Sequence, residues 1–120
     1  MLLHHPNLRV WLYGGPADMR KQFDGLAALA KNQMDGKLDE QHLFVFINRR
    51  RTQIKLLYYS TGGLCLWSKR LEKGRFQQVG FTGNGSKKVA LDWSALQCLI
   101  DGINWLKAPR MKRFKGGDAV

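Results

Sequence analysis

Three consecutive arginines, Arg49, Arg50 and Arg51, are the residues of this chain whose type and spacing most clearly indicate a binding chemistry. A planar guanidinium holds phosphate through two parallel hydrogen bonds and also stacks on nucleobases. The whole chain has 20 Lys and Arg against 9 Asp and Glu in 120 residues, a net charge of +11. Such a charge attracts polyanions, so the run indicates nucleic-acid binding. The alternative is that an arginine-rich hairpin tip is only a solvated turn.

Catalytic residues are not indicated. Nucleases and strand-transfer enzymes hold two divalent metals between clustered carboxylates. The acids closest to such a set are Asp18, Asp24, Asp92 and Asp101, and no pattern of strand-borne acids joins them. The histidines lack metal-ligand spacing, and Cys65 and Cys98 are interpreted as buried, reduced thiols. We therefore expect no enzyme activity, no metal, no cofactor and no small-molecule substrate.

Apolar and β-branched runs predict the sheet that positions the arginines. The predicted strands are residues 9–13, 43–47, 54–59, 64–71 and 88–91. The second is apolar on both alternating faces, which predicts a strand covered on both sides near the middle of the sheet. The third strand pairs with the second, and the turn at Gly62 joins the third strand to the fourth, so that the three form an antiparallel meander. The last is a short edge strand.

Two helices are predicted to pack against this sheet. Asp18 is expected to cap the first, from about Met19 to Gln33, with Gly36 as its stop. Its buried stripe is predicted to be Phe23, Leu26, Ala27, Ala30 and Met34. Asp92 or Ser94 caps the second, which ends near Trp105. Its apolar face is Leu96, Leu99, Ile100 and Ile103.

The predicted fold is a single α+β domain over residues 1–120. It has a mainly antiparallel four- or five-stranded sheet, with a central three-stranded meander and two packed helices. The ordered core is expected over about residues 9–107, between a flexible arm at 1–7 and a basic tail at 109–120. A long loop with a mobile tip is predicted over 77–88. No stretch is long and apolar enough to span a bilayer, and residues 1–6 carry no export signal, so a cytoplasmic location is expected.

The meander predicts where the basic residues converge. Pairing about Gly62 places Lys55 opposite a residue close to Lys69, at the same end as the arginine loop. The residues predicted to gather at one edge of the sheet and bind nucleic acid are Arg49, Arg50, Arg51, Lys55, Lys69, Arg70, Lys73 and Arg75. Acidic residues precede the central strand and are therefore expected at the opposite end of the sheet. The two ends of the domain are thus expected to carry opposite charge. These acids are Asp35, Asp39 and Glu40.

Three further residues are possible additions to this surface. Arg20 and Lys21 are predicted in the first turn of helix one, where positive charge opposes the helix dipole. Either a salt bridge to Asp18 or Asp24, or a bound phosphate, would explain them. Tyr59 is a candidate stacking platform for an unpaired base.

Several motifs resemble a known family. The segments ADMRK at 17–21, NRRR at 48–51 and KRLEKGRF at 69–76 are similar, in register, to the TnpB-type (Orf2-like) accessory protein of the sixty-six family of bacterial insertion sequences. The resemblance covers about residues 10–76, with a weaker echo at 96–103. It implies a protein encoded beside a separate transposase and needed for efficient transposition. Tyr59 stands where the family pattern often has Trp, and Gln22 and Phe23 depart from the usual small residues.

Charge and resemblance together predict a non-catalytic accessory protein that binds DNA, most simply transposon DNA, through its basic edge. The alternative is a protein adaptor that binds the transposase or another element-encoded protein without touching DNA. A third hypothesis is RNA binding, in which Trp67 or Tyr59 stacks on unpaired bases.

Overall fold

The computed structural model describes residues 7–77 and 88–102. The elements are, in order, β1 (Arg9–Tyr13), α1 (Phe23–Met34), β2 (His42–Ile47), β3 (Gln53–Ser60), β4 (Gly63–Arg70), β5 (Lys88–Leu91) and α2 (Trp93–Ile100). The five strands form one sheet in the order β4-β3-β2-β1-β5. Every neighbouring pair is antiparallel except β1 and β2, which are parallel. The predicted α+β fold, with its mainly antiparallel sheet and central meander, is confirmed.

Strand β2 is the central strand, and both of its faces are covered. Leu43, Phe44, Val45 and Phe46 have no exposed surface. Because successive side chains of a strand point to opposite faces, Leu43 and Val45 pack in the cluster that contains α2, whereas Phe44 and Phe46 pack with α1. The two helices therefore cover opposite faces of the sheet.

Helix α1 begins at Phe23, so the predicted start at Met19 is wrong. Asp18 does not cap the helix, because its carboxylate accepts from the amide of Arg20 at 2.9 Å and closes a turn before the helix. Phe23 does not belong to the buried stripe, since it is 45% exposed. The remaining members pack as predicted: Leu26, Ala30 and Met34 are buried and Ala27 is half-buried.

The end of α1 is fixed by a close approach to the sheet. The helix ends at Met34, and the amide of Gly36 donates to the carbonyl of Ala30 at 2.9 Å. A Cβ on Gly36 would lie 2.5 Å from Cζ of Phe44. Glycine is therefore required at position 36 for packing, but the left-handed residue that ends the helix is Asp35, with φ of 50°, and not Gly36 as predicted.

Helix α2 starts as predicted. Asp92 caps it, with Oδ1 accepting from the amide of Ala95 at 2.7 Å, and Leu96, Leu99 and Ile100 are buried. The helix ends at Ile100, so the predicted end near Trp105 is wrong, because Asp101 and Gly102 form a turn in which Gly102 has a φ of 78°. Predictions for residues 1–6, for the loop at 78–87, for Ile103 and for the tail at 109–120 lie outside the described residues. No helix in the described part of the chain is long and apolar enough to cross a membrane.

Candidate nucleic-acid interface

The strand directions bring several chain segments to one end of the sheet. β1, β2 and β4 finish at this end, and β3 begins there. α1 also begins there, since the turn before it contacts the side chain of Lys55 near the start of β3. The arginine loop, residues 48–52, joins β2 to β3 at this end.

Asn48 organises the arginine loop. Its Oδ1 accepts from the amides of Thr52 at 2.8 Å and Gln53 at 3.0 Å. Its carbonyl accepts from the amide of Arg51 at 3.0 Å, closing a tight turn. Asn side chains commonly bind the backbone of a following turn in this way. Sequence reasoning did not assign this role to Asn48, although an Asn directly after a buried strand is the signal that could have indicated it.

Arg51 has a left-handed backbone with φ of 59°. This region favours Gly, and a side chain there costs about 1–2 kcal/mol. Arginine is therefore locally unfavourable at this position. Among the described residues, Asp35 and Thr61 also have a positive φ. The strain persists at Arg51 because the surrounding hydrogen bonds of the loop fix the turn.

The segment 71–76 runs alongside the arginine loop. The amide of Leu71 donates to the carbonyl of Thr52 at 2.8 Å, and the amide of Phe76 donates to the carbonyl of Arg51 at 2.6 Å. The ring of Phe76 is 1% exposed and anchors the segment in the core on the α2 face. These contacts hold Lys73 and Arg75 at the same end of the sheet as the arginines.

Lys55 does not lie on this surface, contrary to expectation. It is 3% exposed, and its Nζ donates to the carbonyls of Met19 at 2.8 Å and Lys21 at 2.9 Å. The reason is the register of β3 and β4, in which Lys55 pairs with Ser68 and Ile54 pairs with Lys69. A difference of one residue reverses the face of a side chain. Lys55 therefore points under α1 and supports the turn that precedes it.

Lys69 points to the other face of the sheet. Its Nζ donates to the carbonyl of Ile100, the last residue of α2, at 2.8 Å, and the side chain is half-buried. A cation at a helix C-terminus satisfies an otherwise unpaired carbonyl and interacts favourably with the helix dipole. Lys69 therefore links β4 to α2 instead of projecting freely.

Six of the eight predicted residues remain as a surface, which we call the basic end. They are Arg49, Arg50, Arg51, Arg70, Lys73 and Arg75, all exposed except the half-buried Arg51. Arg70 lies 4.0 Å from Glu72, but both side chains are more than 70% exposed, at 75% and 86%. Ion pairs of this kind contribute little and leave Arg70 accessible.

Arg20 and Lys21 lie beside the basic end, in the turn before α1 and not in its first turn as expected. Arg20 forms the salt bridge to Asp18, with Nη2 and Oδ2 2.8 Å apart. The side-chain hydrogen bond from Arg20 is the main cause that lowers the pKa of Asp18 to about 2. The salt bridge to Asp18 that the sequence suggested for Arg20 is therefore present. Its side chain is nevertheless 91% exposed.

Tyr59 lies at the other end of the sheet. It pairs with Leu64 next to the Thr61–Gly62 turn, roughly 20 Å along β3 from Gln53 at about 3.4 Å per residue. Two acids make contacts at this opposite end: Glu40 accepts from the amide of Thr61 at 3.1 Å, and Asp39 contacts Nδ1 of His42 at 2.6 Å. The structure therefore separates Tyr59 from the arginines.

A cleft of about 330 Å³ opens between the end of β1 and the arginine loop. It is lined by Leu12, Tyr13, Gly14, Gly15, Pro16, Ile47, Asn48, Arg49, Arg51 and Gln77. From the sequence, Gly14, Gly15 and Pro16 were predicted only to end the first strand, and the cleft that they line was not predicted. Among the described residues, no group of three or more His, Cys, Asp or Glu side chains could hold a metal ion.

A family model described as IS66 Orf2 like protein matches residues 8–110, which include the basic end and the cleft. The chain belongs to the IS66 Orf2-like family. The resemblance found in the sequence motifs is thereby confirmed, and this IS66 Orf2-like protein is an accessory protein of an insertion sequence.

Two curated relatives of this IS66 Orf2-like chain come from Sinorhizobium fredii (strain NBRC 101917 / NGR234). Protein y4hO is 36% identical over 110 residues, covering 88% of this chain and 89% of the relative. Protein y4jC is 25% identical over 103 residues, covering 86% of each. Both carry the description "uncharacterized". No solved structure matches the chain.

Proposed function

We propose that this accessory protein binds DNA of the insertion sequence through the basic end, while a separate transposase performs the chemistry. The observation that carries the proposal is the convergence of two cationic segments. Hydrogen bonds from Leu71 and Phe76 to the arginine loop hold the segments together at one end of the sheet. Converging guanidinium groups fit the closely spaced phosphates of a nucleic-acid backbone.

The charge distribution of the described residues supports an oriented encounter with DNA. The acids Asp35, Asp39, Glu40 and Asp92 belong to the end of the sheet opposite the arginines. These acids nearly balance Arg9, Lys31 and Lys37 toward that end, so a polyanion is attracted mainly to the basic end, which accelerates and orients binding. Contacts to phosphate fix position on the duplex but carry no sequence information, so weak sequence preference is expected.

The test compares wild type with the triple variant Arg49→Ala/Arg50→Ala/Arg51→Ala on a fluorescent duplex at several salt concentrations. Each lost phosphate contact reduces the slope of log affinity against log salt by about 0.9, so the triple variant should lose about 2–3 units of slope. The matched control is Arg9→Ala/Lys31→Ala/Lys37→Ala. It removes the same charge from exposed positions toward the other end and should keep most of the slope.

Equal losses of salt slope in the two triple variants would show that DNA affinity depends on the net charge of the protein and not on the basic end. If wild type fails to bind duplex DNA, but co-purifies with the transposase or another protein of the element after nuclease treatment, the protein-adaptor hypothesis replaces DNA binding. Tighter binding to single-stranded RNA than to duplex DNA would also contradict the proposal.

A further inference from the structure

The cleft beside the basic end lies at the carboxyl ends of β1 and β2. These two strands are parallel neighbours joined through α1, while β5 pairs with the other side of β1. The chain leaves β1 toward α1, with the amide of Ala17 donating to the carbonyl of Ile47 at 2.9 Å, and among the described residues an opening remains beyond the strand ends. In sheets with parallel strands, ligands commonly bind in a crevice at this position.

The lining combines two kinds of chemistry. Arg49 and Arg51 supply positive charge, whereas Pro16 and the small exposed parts of Leu12 and Ile47 supply apolar surface. Two guanidinium groups beside an apolar wall suit a ligand that has a phosphate at one side and a flat, weakly polar body at the other. An inorganic anion would use only the arginines.

Tyr13 adds an aromatic ring to the cleft. Its centroid lies 6.0 Å from that of Phe46 in a tilted arrangement, which holds the ring against the core on the α1 face. A fixed aromatic ring provides a stacking surface for a nucleobase without preference for one base. Tyr13, and not Tyr59, is the tyrosine that the structure places next to the arginines.

The size of the cleft limits the ligand. At about 330 Å³ it is near the lower limit of ligand pockets, which hold about 300–1,000 Å³. This space is suitable for a single nucleotide, and a base that is paired and stacked inside a duplex cannot lie against the ring of Tyr13. Duplex DNA bound at the basic end would thus place only an unpaired nucleotide in the cleft.

We infer that the cleft binds one unpaired nucleotide of the DNA held by the basic end, with its phosphate at Arg49 and Arg51 and its base against Tyr13. The inference rests on the proposed function and names the part of the DNA that this site recognises. The protein would accordingly prefer DNA with a single-stranded overhang over a blunt duplex.

Gly15 allows the cleft to be filled without changing charge. A Cβ at Gly15 would be 3.8 Å from the ring of Tyr13, an ordinary contact, and no positive φ restricts the position. Gly15→Leu should therefore fold and occupy the cleft. Gly63→Leu is the matched control, because the same substitution at the other end of the sheet places Cβ 3.8 Å from only the carbonyl of Ser60. Circular dichroism and thermal unfolding verify that both variants fold.

The experiment measures affinity for a blunt duplex and for the same duplex with a three-nucleotide overhang. We expect wild type and Gly63→Leu to prefer the overhang by about tenfold, since each stacked base adds a factor of this order. Gly15→Leu should lose the preference and keep its affinity for the blunt duplex. A wild type that binds both duplexes equally, or a Gly15→Leu that retains the preference, would overturn the inference. Failure of the proposed function is a different result: no binding to the blunt duplex by wild type.

A titration followed by amide NMR separates a nucleotide site from a general anion site. Thymidine monophosphate and inorganic phosphate are each added to the wild-type protein. We expect the nucleotide to shift the amides of Tyr13, Gly15 and Arg49 at concentrations at least about tenfold lower than phosphate does. Equal potency would show that only the anion is recognised, and would overturn the assignment of a base to the cleft.

Discussion

The residues of the basic end and two nearby lysines, Lys55 and Lys69, are all positively charged and lie at the same end of the sheet. Their charged groups nevertheless have different contacts. The guanidinium groups of Arg49 and Arg50 are exposed to solvent. The ammonium groups of Lys55 and Lys69 each donate to backbone carbonyls of a neighbouring segment, and Lys55 is 3% exposed. The exposed arginines, the outer cations, are available to a ligand. Lys55 and Lys69, the inner cations, hold in place the segments that carry these arginines.

This difference shows that a cluster of positive charge in a sequence can contain residues of two kinds. A buried ammonium must have hydrogen-bond acceptors, since an unpaired buried charge is strongly unfavourable. Lys55 meets this requirement with the carbonyls of Met19 and Lys21. It is a positioning residue for the turn that holds Arg20, and its loss should affect folding before binding.

The largest expected effect is on stability, from Lys55→Met. This variant keeps the aliphatic stem but leaves the carbonyls of Met19 and Lys21 without their donor. Each hydrogen bond from a charged donor contributes about 1.5–3 kcal/mol. Replacing a buried charge with an apolar side chain offsets part of the loss of two such bonds, so we expect the free energy of unfolding to fall by about 2–4 kcal/mol. Urea denaturation followed by circular dichroism measures it.

Arg50→Met is the matched control for Lys55→Met. It removes the same charge from an exposed position, so its unfolding free energy should stay within about 0.5 kcal/mol of wild type. The order should reverse for DNA, with Arg50→Met reducing the salt slope more than Lys55→Met does. If the two variants lose similar stability, the division between inner and outer cations is wrong.

An intermediate effect is expected for Arg51→Gly, which removes a guanidinium and relieves the left-handed backbone at φ of 59°. Stability should remain the same or rise by up to about 1 kcal/mol, because glycine adopts this conformation without steric cost. The salt slope for DNA should fall by about 0.9. Unfolding and binding measurements on the same sample test both. A loss of more than about 1 kcal/mol would instead show that the long 3.4 Å contact from Arg51 to the carbonyl of Phe76 stabilises the loop.

The smallest effect is expected for Asp18→Asn, which releases Arg20 at the margin of the basic end. DNA affinity should increase by less than about threefold, since the ion pair is exposed and weak. The pKa of Asp18 is lowered from 3.8 to about 2, so the pair contributes stability above about pH 4, and the contribution is lost as the pH falls through about 2. The difference in unfolding free energy between wild type and variant should be constant above about pH 4 and should disappear as the pH falls from about 4 to about 2. A decrease in DNA affinity would show that Asp18 positions Arg20 for binding.

Most of the fold could be predicted from the sequence, because the signals are local. The run at 43–47 is apolar on both faces, so its central position followed from pattern alone. Asp92 before an apolar periodic segment identified the start of α2, and Gly62 identified the hairpin turn. The start of α1 could not be derived in this way, since Asp18 has two local options and binds Arg20 instead of capping a helix.

The sequence by itself determined the excess of positive charge, the arginine loop and the family. Only the tertiary structure decided which cations are exposed, because side chains of a strand alternate with a period of two and a register difference of one residue reverses every face. Lys55 and Lys69 are on opposite faces for this reason. The cleft also depends on tertiary structure, since its walls come from the ends of β1 and β2, which are distant in the chain and adjacent only through parallel pairing.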